Sequence, residues 1–245
     1  MTVSTVVVFG GDGFCGWPTC LKLAAEGHRV VLVDNLSRRR IDNELSSGSL
    51  TKISSIKERV RVANDLVGDI RFEFLDVATD ADGVKRLLEH YRPVAVVQFA
   101  EQRAAPYSML GDVERRYTMD NNVSGTHNIC SAIVEVDRNI HLVHLGTMGV
   151  YGYSKVFGAI PEGYLDVRVN STAQDTEILY PANPGSVYHL TKCLDQLLFQ
   201  FYNKNWGLKI TDLHQGIVWG VQTEFTKLAP ELVNRFDYDG IYGTV

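Results

Sequence analysis

The sequence is poor in cysteine, and the four it has, Cys15, Cys20, Cys130 and Cys193, form no pattern. Their spacings match no zinc arrangement, and Cys15 and Cys20 are too far apart for a CxxC pair. Free thiols in a reducing compartment follow. Long apolar runs are also missing. Nothing approaches the ~20 consecutive apolar residues of a membrane span. The run Val6–Phe9 is short and lacks the basic flank of a signal peptide. A cytoplasmic protein is expected, or one of the plastid stroma if a transit peptide has been removed. Positive charge is scarce: 24 Lys and Arg stand against 29 Asp and Glu, a net charge of −5. A nucleic acid needs clustered cations, so it is excluded as the main partner. The one basic run, Arg38 to Arg40, reads as a solvated surface cluster. Seven histidines raise the question of a metal. His141 and His144 are three apart on a strand and fall on opposite faces, so no metal site is expected.

What is present is a rhythm. Short β-rich apolar runs (Val3–Phe9, His28–Val33, Arg71–Leu75, Val94–Phe99, His141–Leu145, Leu208–Leu213) alternate with longer helical patterns. The helices fall at Phe14–Glu26, Asp82–Tyr91, Asp112–Val136 and Ser186–Trp206. Strands apolar on both faces and separated by helices imply a parallel sheet covered on both sides. The expected class is α/β, a doubly wound parallel sheet of Rossmann type with a small, incomplete C-terminal substrate-binding part. Residues 1–220 read as the dinucleotide-binding domain, with an insertion at 151–185, and 221–245 as the start of the substrate region. Segments 35–65, 151–185 and 221–245 break the rhythm. They belong at the C-terminal edge of the sheet, where ligands bind in this architecture. Phe199, Phe201, Tyr202 and Trp206 read as helix core or an interface stripe.

Directly after the first strand comes G-x-x-G-x-x-G at Gly10, Gly13 and Gly16, opening the first helix. Glycine permits a positive φ and close backbone approach to a pyrophosphate, and the helix N-terminus adds unpaired N–H groups. Asp34 ends the second strand, 18 residues beyond Gly16, near the spacing of the acid that binds a ribose 2′-hydroxyl. That acid repels a 2′-phosphate, so NAD is favoured over NADP, although Arg38 and Arg39 pull the other way. Asp76 and Val77 close the third strand; Asp76 either meets an adenine amino group or caps the following turn.

Tyr188 and Lys192 form Y-x-x-x-K on one helix face. A nearby ammonium stabilises a phenolate and fits the tyrosine for general-base work. Thr147 ends strand five and its hydroxyl is expected to point toward that pair. The alternatives are two unrelated surface residues and a threonine that caps a strand end.

Several segments together resemble the UDP-sulfoquinovose synthases, a family within the extended short-chain dehydrogenase/reductases of the NAD-dependent epimerase/dehydratase type. They are GGDGFCG at Gly10–Gly16, DNLSRR at Asp34–Arg39, EQRAAPYSM at Glu101–Met109 and NNVSGT at Asn121–Thr126. TMG at Thr147–Gly149, YHLTK at Tyr188–Lys192, DLHQGIVWG at Asp212–Gly220 and RFDYDGIYGT at Arg235–Thr244 complete the set. The resemblance implies UDP-glucose as substrate, sulfite or a sulfite donor as co-substrate, and tightly held NAD. The chemistry it implies is C4 oxidation, loss of water across C5 and C6, sulfite addition at C6 and re-reduction at C4. It therefore implies a carbon–sulfur bond-forming enzyme, classed by expectation with the hydrolases.

The resemblance implies Thr147, Tyr188, Lys192 and His189 as catalytic residues. His189, one position along the helix, faces about 100° away from Tyr188. The implied cofactor set is Gly10, Asp12, Gly13, Phe14, Cys15, Gly16, Asp34, Asn35, Arg38, Asp76, Val77, Ala100, Asn121, Tyr188, Lys192, Gln215 and Val218. The implied substrate set is Gln102, Arg103, Thr147, Tyr188, Gly243 and Thr244. By analogy with the superfamily, Asp112–Val136 and Ser186–Trp206 would pair across a homodimer. Some members place Glu directly after TMG; here Val150 stands there, so a base for the C5 proton must come from elsewhere. The family's chains continue past this point, so a truncated chain is expected. Two other readings remain open: a UDP-sugar 4-epimerase or 5,6-dehydratase on the same scaffold, and a non-catalytic NAD-binding protein or inactive fragment.

Overall fold

A computed structural model describes residues 3–152, 164–168, 175–179 and 182–236. Strand β1 (Thr5–Phe9, sequence TVVVF) is β-branched and almost wholly buried. Its period-2 alternation sends Val6 and Val8 into one core and Val7 and Phe9 into the other. That two-sided burial places it at the centre of a sheet. It pairs in parallel with β2 (Arg29–Asp34) on one side and β4 (Ala95–Gln98) on the other. Beyond them lie β3 (Ile70–Phe74), β5 (His141–His144) and β8 (Lys209–Asp212). The order is β3-β2-β1-β4-β5-β8, all parallel. Chain direction across the sheet reverses between β1 and β4, and a crevice opens there at the carboxyl ends of the strands.

One face is covered by α1 (Gly16–Ala25) and α3 (Ile56–Leu66), through Trp17, Leu21, Ile56 and Val62. The other is covered by α4 (Ala81–Tyr91), α5 (Asp112–Val136) and α6 (Val187–Trp206), through Val84, Leu88, Ile129, Ile133 and Phe199. The expected strands and helices appear within one or two residues, as hydrogen-bonded ends allow.

Four expectations change. Segment 35–65, which breaks the rhythm in the sequence, holds two helices, α2 (Ser37–Glu44) and α3. Helix α2 buries only Ile41 and Asp42, too few for a visible period. Within the insertion, β6 (Tyr164–Arg168) and β7 (Asp175–Leu179) form an antiparallel pair separate from the main sheet. Strand β3 is not apolar on both faces: it is an edge strand, and Phe74 is exposed. The aromatic stripe on α6 also divides. Phe199 and Tyr202 are buried, whereas Phe201 faces out. After β8 the chain crosses to the α1/α3 face, where Phe225, Ala229 and Leu232 pack against its core. Among the described residues, no helix is long and apolar enough to cross a membrane.

Candidate active site

The crevice is a cavity of about 490 Å³, lined by residues from the ends of β1, β2, β4 and β5 and from the start of α6. That volume lies in the usual range for small-molecule sites. Its floor is the glycine loop. Gly10 has φ +75°, and its N–H donates to Val33 O at 2.8 Å. A Cβ there would meet the Phe99 carbonyl carbon at 2.5 Å, so β1 and β4 approach each other only with glycine at this position. A Cβ on Gly16 would sit 2.1 Å from Gly10 O, so the turn closes on itself only with glycine there. Gly13 differs. Its Cβ would touch only Gly10 O, at 3.1 Å, and the space beside it belongs to the cavity. A cradle a Cβ would partly fill, at the N-terminus of α1, fits a dinucleotide pyrophosphate.

Asp34 lines the cavity at the tip of β2. Its carboxylate accepts from the backbone N–H of Asp12 (2.9 Å) and of Leu36 (2.7 Å). Burial and the nearby Asp12 charge push its pKa up to about 6, so at neutral pH it is mostly an acceptor. The Arg38–Arg39 pair is largely withdrawn from solvent rather than a solvated cluster. Arg39 grips Asp12 with Nε at 2.6 Å and Nη2 at 2.9 Å, and it also donates to Ser54 O. Arg38 lines the cavity, 3.8 Å from Asp42. The Asp12 side chain therefore turns away from the cavity. Asp76 is a turn cap, accepting from the N–H groups of Ala78 and Thr79 and from the Asn35 amide at 2.8 Å.

Helix α6 presents the chemistry. Ser186 caps it by accepting from His189 N at 3.2 Å, which fixes the first turn at the cavity wall. Tyr188, His189 and Lys192 all line the cavity, as does Thr147. His189, expected among the catalytic residues although it leaves the helix about 100° from Tyr188, thus lies on the same cavity wall. Gly149 makes this possible, since a Cβ there would lie 2.4 Å from the His189 ring. Thr147 Oγ1 accepts from Gly149 N at 3.1 Å. It caps a turn, and its own proton remains available to a substrate oxygen. Burial raises the Tyr188 pKa and the Lys192 charge offsets part of that rise. Burial lowers the pKa of His189, so its imidazole is neutral at physiological pH.

Behind this wall lies a buried ionic cluster that motif reading missed. Lys192 Nζ donates to Leu145 O at 2.7 Å and forms an ion pair with Glu101. Glu101 also accepts from His144 Nε2 at 2.8 Å, and His144 Nδ1 donates to Asp212 at 2.7 Å. Asp212 in turn accepts from His214 Nε2 at 2.8 Å. Burial opposes these charges and the pairing wins. Glu101 is held at about 2 by Lys192 and His144, and His144 is pushed up to about 9 by Glu101 and Asp212. Asp195 lies 3.5 Å from His144; burial and the Glu101 charge raise its pKa to about 7. Glu101, His144 and Asp195 have ligand atoms within 4.8 Å of one another. The cation facing them is the protein's own Lys192, so these residues do not make a metal site. A sequence signal did exist in Glu101 and Asp212, since one follows β4 closely and the other ends β8, both at the carboxyl edge of the sheet. The pairing itself joins residues far apart in the chain.

Of the other expected residues, Phe14, Cys15, Asn35, Val77, Ala100, Arg103, Asn121, Gln215 and Val218 line the cavity. Gln102 does not. It is buried, donating to Ala104 O at 3.1 Å and Thr118 Oγ1 at 2.9 Å, so its amide shapes the loop rather than meeting a ligand. Val150 is buried as well, so the position after TMG offers nothing to a substrate. Gly243 and Thr244 lie outside the described residues.

A glycine-rich loop at the switch point of a doubly wound sheet, facing Thr147, Tyr188 and Lys192 across one cavity, defines a dinucleotide-binding protein of the short-chain dehydrogenase/reductase type. The chain belongs to the NAD dependent epimerase/dehydratase family, which it matches over residues 6–240. It is 44% identical over 239 residues to UDP-sulfoquinovose synthase, chloroplastic, of Spinacia oleracea, covering 98% of this chain and 49% of that protein. It is 41% identical over 243 residues to the UDP-sulfoquinovose synthase of Sulfolobus acidocaldarius, covering 98% and 60%. The chain thus spans about half to three-fifths of the length of these curated relatives. Both are named as synthases, which corrects the expected hydrolase class. Among solved structures, the fold matches UDP-N-acetylglucosamine 4-epimerase from Methanobrevibacter ruminantium M1 at a TM-score of 0.65 and 22% identity, covering 94% of this chain and 60% of that one. UDP-glucose 4-epimerase from Thermotoga maritima gives 0.62 at 21% identity, covering 89% and 57%.

Proposed function

We propose that this chain carries the cofactor site and the catalytic groups for converting UDP-glucose and sulfite into UDP-sulfoquinovose. The observation that carries the reading is the convergence of the glycine loop with Thr147, Tyr188, His189 and Lys192 on one cavity, in a chain so similar to two such synthases. NAD, when bound, supplies the acceptor for the C4 hydride and gives that hydride back. The loop Gly10–Gly16 seats the pyrophosphate and Asp34 accepts from the ribose hydroxyls. Arg39 is committed to Asp12, which leaves Asp34 to set the preference for NAD over NADP.

Tyr188 takes the O4 proton, the Lys192 charge opposing the rise that burial imposes on its pKa, while Thr147 donates to the same oxygen. Lys192 supports the phenolate electrostatically, its Nζ 5.9 Å from the tyrosine ring centroid. The 4-ketone acidifies C5. His189 is the neutral base in the cavity wall that removes that proton, filling the role that Val150 leaves open. The C6 hydroxyl departs as water with the same proton, and a 5,6-alkene results. Arg103 holds sulfite at the cavity wall. The sulfur lone pair adds at C6, C5 regains a proton, and Tyr188 returns its proton to O4 as C4 is reduced. This reading includes a homodimer through α5 and α6, supported by the exposed Val113, Leu197 and Phe201; sedimentation of the protein tests it.

The deciding experiment incubates the full-length protein with UDP-glucose, with and without sulfite, and follows nucleotide-sugar masses. A sulfite-dependent product with the mass of UDP-glucose plus sulfite minus water, lost in Tyr188→Phe, supports the synthase. Loss of water without sulfite points to a dehydratase instead. An unchanged mass leaves an epimerase or a silent cofactor-binding protein.

A further inference from the structure

The glycine loop is bare on its cavity side, where a ligand must approach, and so it has to be held from behind. Its two outward handles are the Asp12 carboxylate and the Phe14 carbonyl. The segment Leu232–Phe236, which belongs to no strand of the sheet, reaches both. Asn234 Nδ2 donates to Phe14 O at 2.9 Å, and Leu232 O accepts from the Trp17 indole at 2.8 Å. Arg59, wholly buried and stacked 4.0 Å from the Trp17 ring centroid, joins Asp12 Oδ1 at 2.5 Å to Val233 O at 3.2 Å. The segment is itself tied down. Asn234 O accepts from Thr51 Oγ1 at 2.7 Å, Phe236 O accepts from Leu50 N at 2.8 Å, and Phe236 N donates to Ser49 Oγ at 2.9 Å. Arg235 is ion-paired with Asp42, whose carboxylate also lies 3.8 Å from the cavity-lining Arg38.

We infer that residues Leu232–Phe236 are a clasp that positions the dinucleotide loop, with Asn234 the positioning residue that holds Phe14 and Arg59 the bridge that holds Asp12. The inference rests on the reading of Gly10–Gly16 as the NAD site. A loop with four glycines in seven residues has much backbone freedom to lose, and ordering it before the ligand arrives lowers the cost of binding. The clasp supplies that order from a segment more than 200 residues away in sequence, joining the far end of the described chain to the cofactor site. It also accounts for an aspartate in the middle of a phosphate loop: Asp12 is a buried anchor for two arginines, not a ligand group.

The test measures NAD binding by calorimetry and thermal midpoints without NAD, on full-length protein. Three variants are compared with wild type. Asn234→Ala removes the donor to Phe14, Thr51→Val loosens the clasp at one remove, and Tyr202→Phe removes a hydrogen bond to His127 between α5 and α6, away from the cavity. Losing one hydrogen bond that orders the loop predicts about tenfold weaker NAD binding for Asn234→Ala and about threefold for Thr51→Val. Tyr202→Phe lowers the thermal midpoint and leaves NAD affinity at the wild-type value. Equal NAD affinity in Asn234→Ala and wild type, at whatever thermal cost, overturns the clasp. Wild-type protein that binds no NAD overturns the cofactor reading and the clasp with it.

Discussion

At the scale of single residues, the site divides into groups that face the ligand and groups that hold them. In the proposed sequence, Tyr188→Phe removes the oxygen that takes the O4 proton. Turnover should fall by about 10²–10⁴, with NAD still bound; product formation and bound cofactor checked side by side separate the two effects. His189 acts later in the proposed sequence. His189→Ala should therefore let C4 oxidation proceed and stop before water leaves, so reduced nicotinamide accumulates and is visible by its absorbance. Gly149→Ala should approach the same phenotype, because a Cβ at that position lies 2.4 Å from the imidazole. Glu101 is a different kind of residue. Removing its charge with Glu101→Gln leaves the buried Lys192 ammonium without its ion-pair partner. Breaking one side of a buried pair costs about 3–5 kcal/mol, and urea unfolding should show a loss of that order.

At the scale of elements, β1 and α6 do most of the positioning, and each is fixed by local chemistry. The strand ends at Gly10 because only a residue at φ +75° can turn there against Phe99. Helix α6 begins at Val187, after the Ser186 cap, so Tyr188 and His189 fall in the first turn, beside the cavity. Replacing Ser186 with alanine should cost about 1 kcal/mol of stability and loosen that turn. An activity loss larger than the fall in thermal midpoint explains is the expected signature. The hairpin of β6 and β7 stands outside the main sheet; it lengthens the connection between β5 and α6 without altering the parallel order.

At the scale of the whole molecule, the buried charges tie stability to pH. His144 has its folded pKa raised from the ordinary 6.5 to about 9 by Glu101 and Asp212, which outweigh burial. A raised pKa means that the proton binds the folded state more tightly. Its contribution is complete below about 6.5 and is lost as pH climbs through about 9. The span corresponds to roughly 3 kcal/mol. Thermal midpoints should fall between pH 6.5 and 9, and His144→Phe should flatten that fall; a wild-type profile that stays level over this range would contradict the charged state of His144. The acid side behaves oppositely. Glu101 is depressed to about 2, so its contribution is present above the usual carboxylate pKa and is lost only in strong acid.

The sequence by itself determined the alternation of strands and helices, the place of the glycine loop and the presence of Thr147, Tyr188 and Lys192. Those features are local: β-branched runs, turn chemistry and i, i+4 spacing act within a few residues, so they can be read from the chain. The tertiary structure alone decided the rest. It set Arg39 and Arg59 on Asp12 where the chain suggested a solvated arginine run, and buried Gln102 where the resemblance suggested a substrate contact. It set His189 on the same cavity wall as Tyr188 despite their angular separation on the helix, and closed Glu101, His144, Asp212 and Lys192 into one cluster. These are meetings between residues tens to hundreds of positions apart. They exist because burial leaves a charge or an amide no stable choice except the partner that packing brings within about 3 Å.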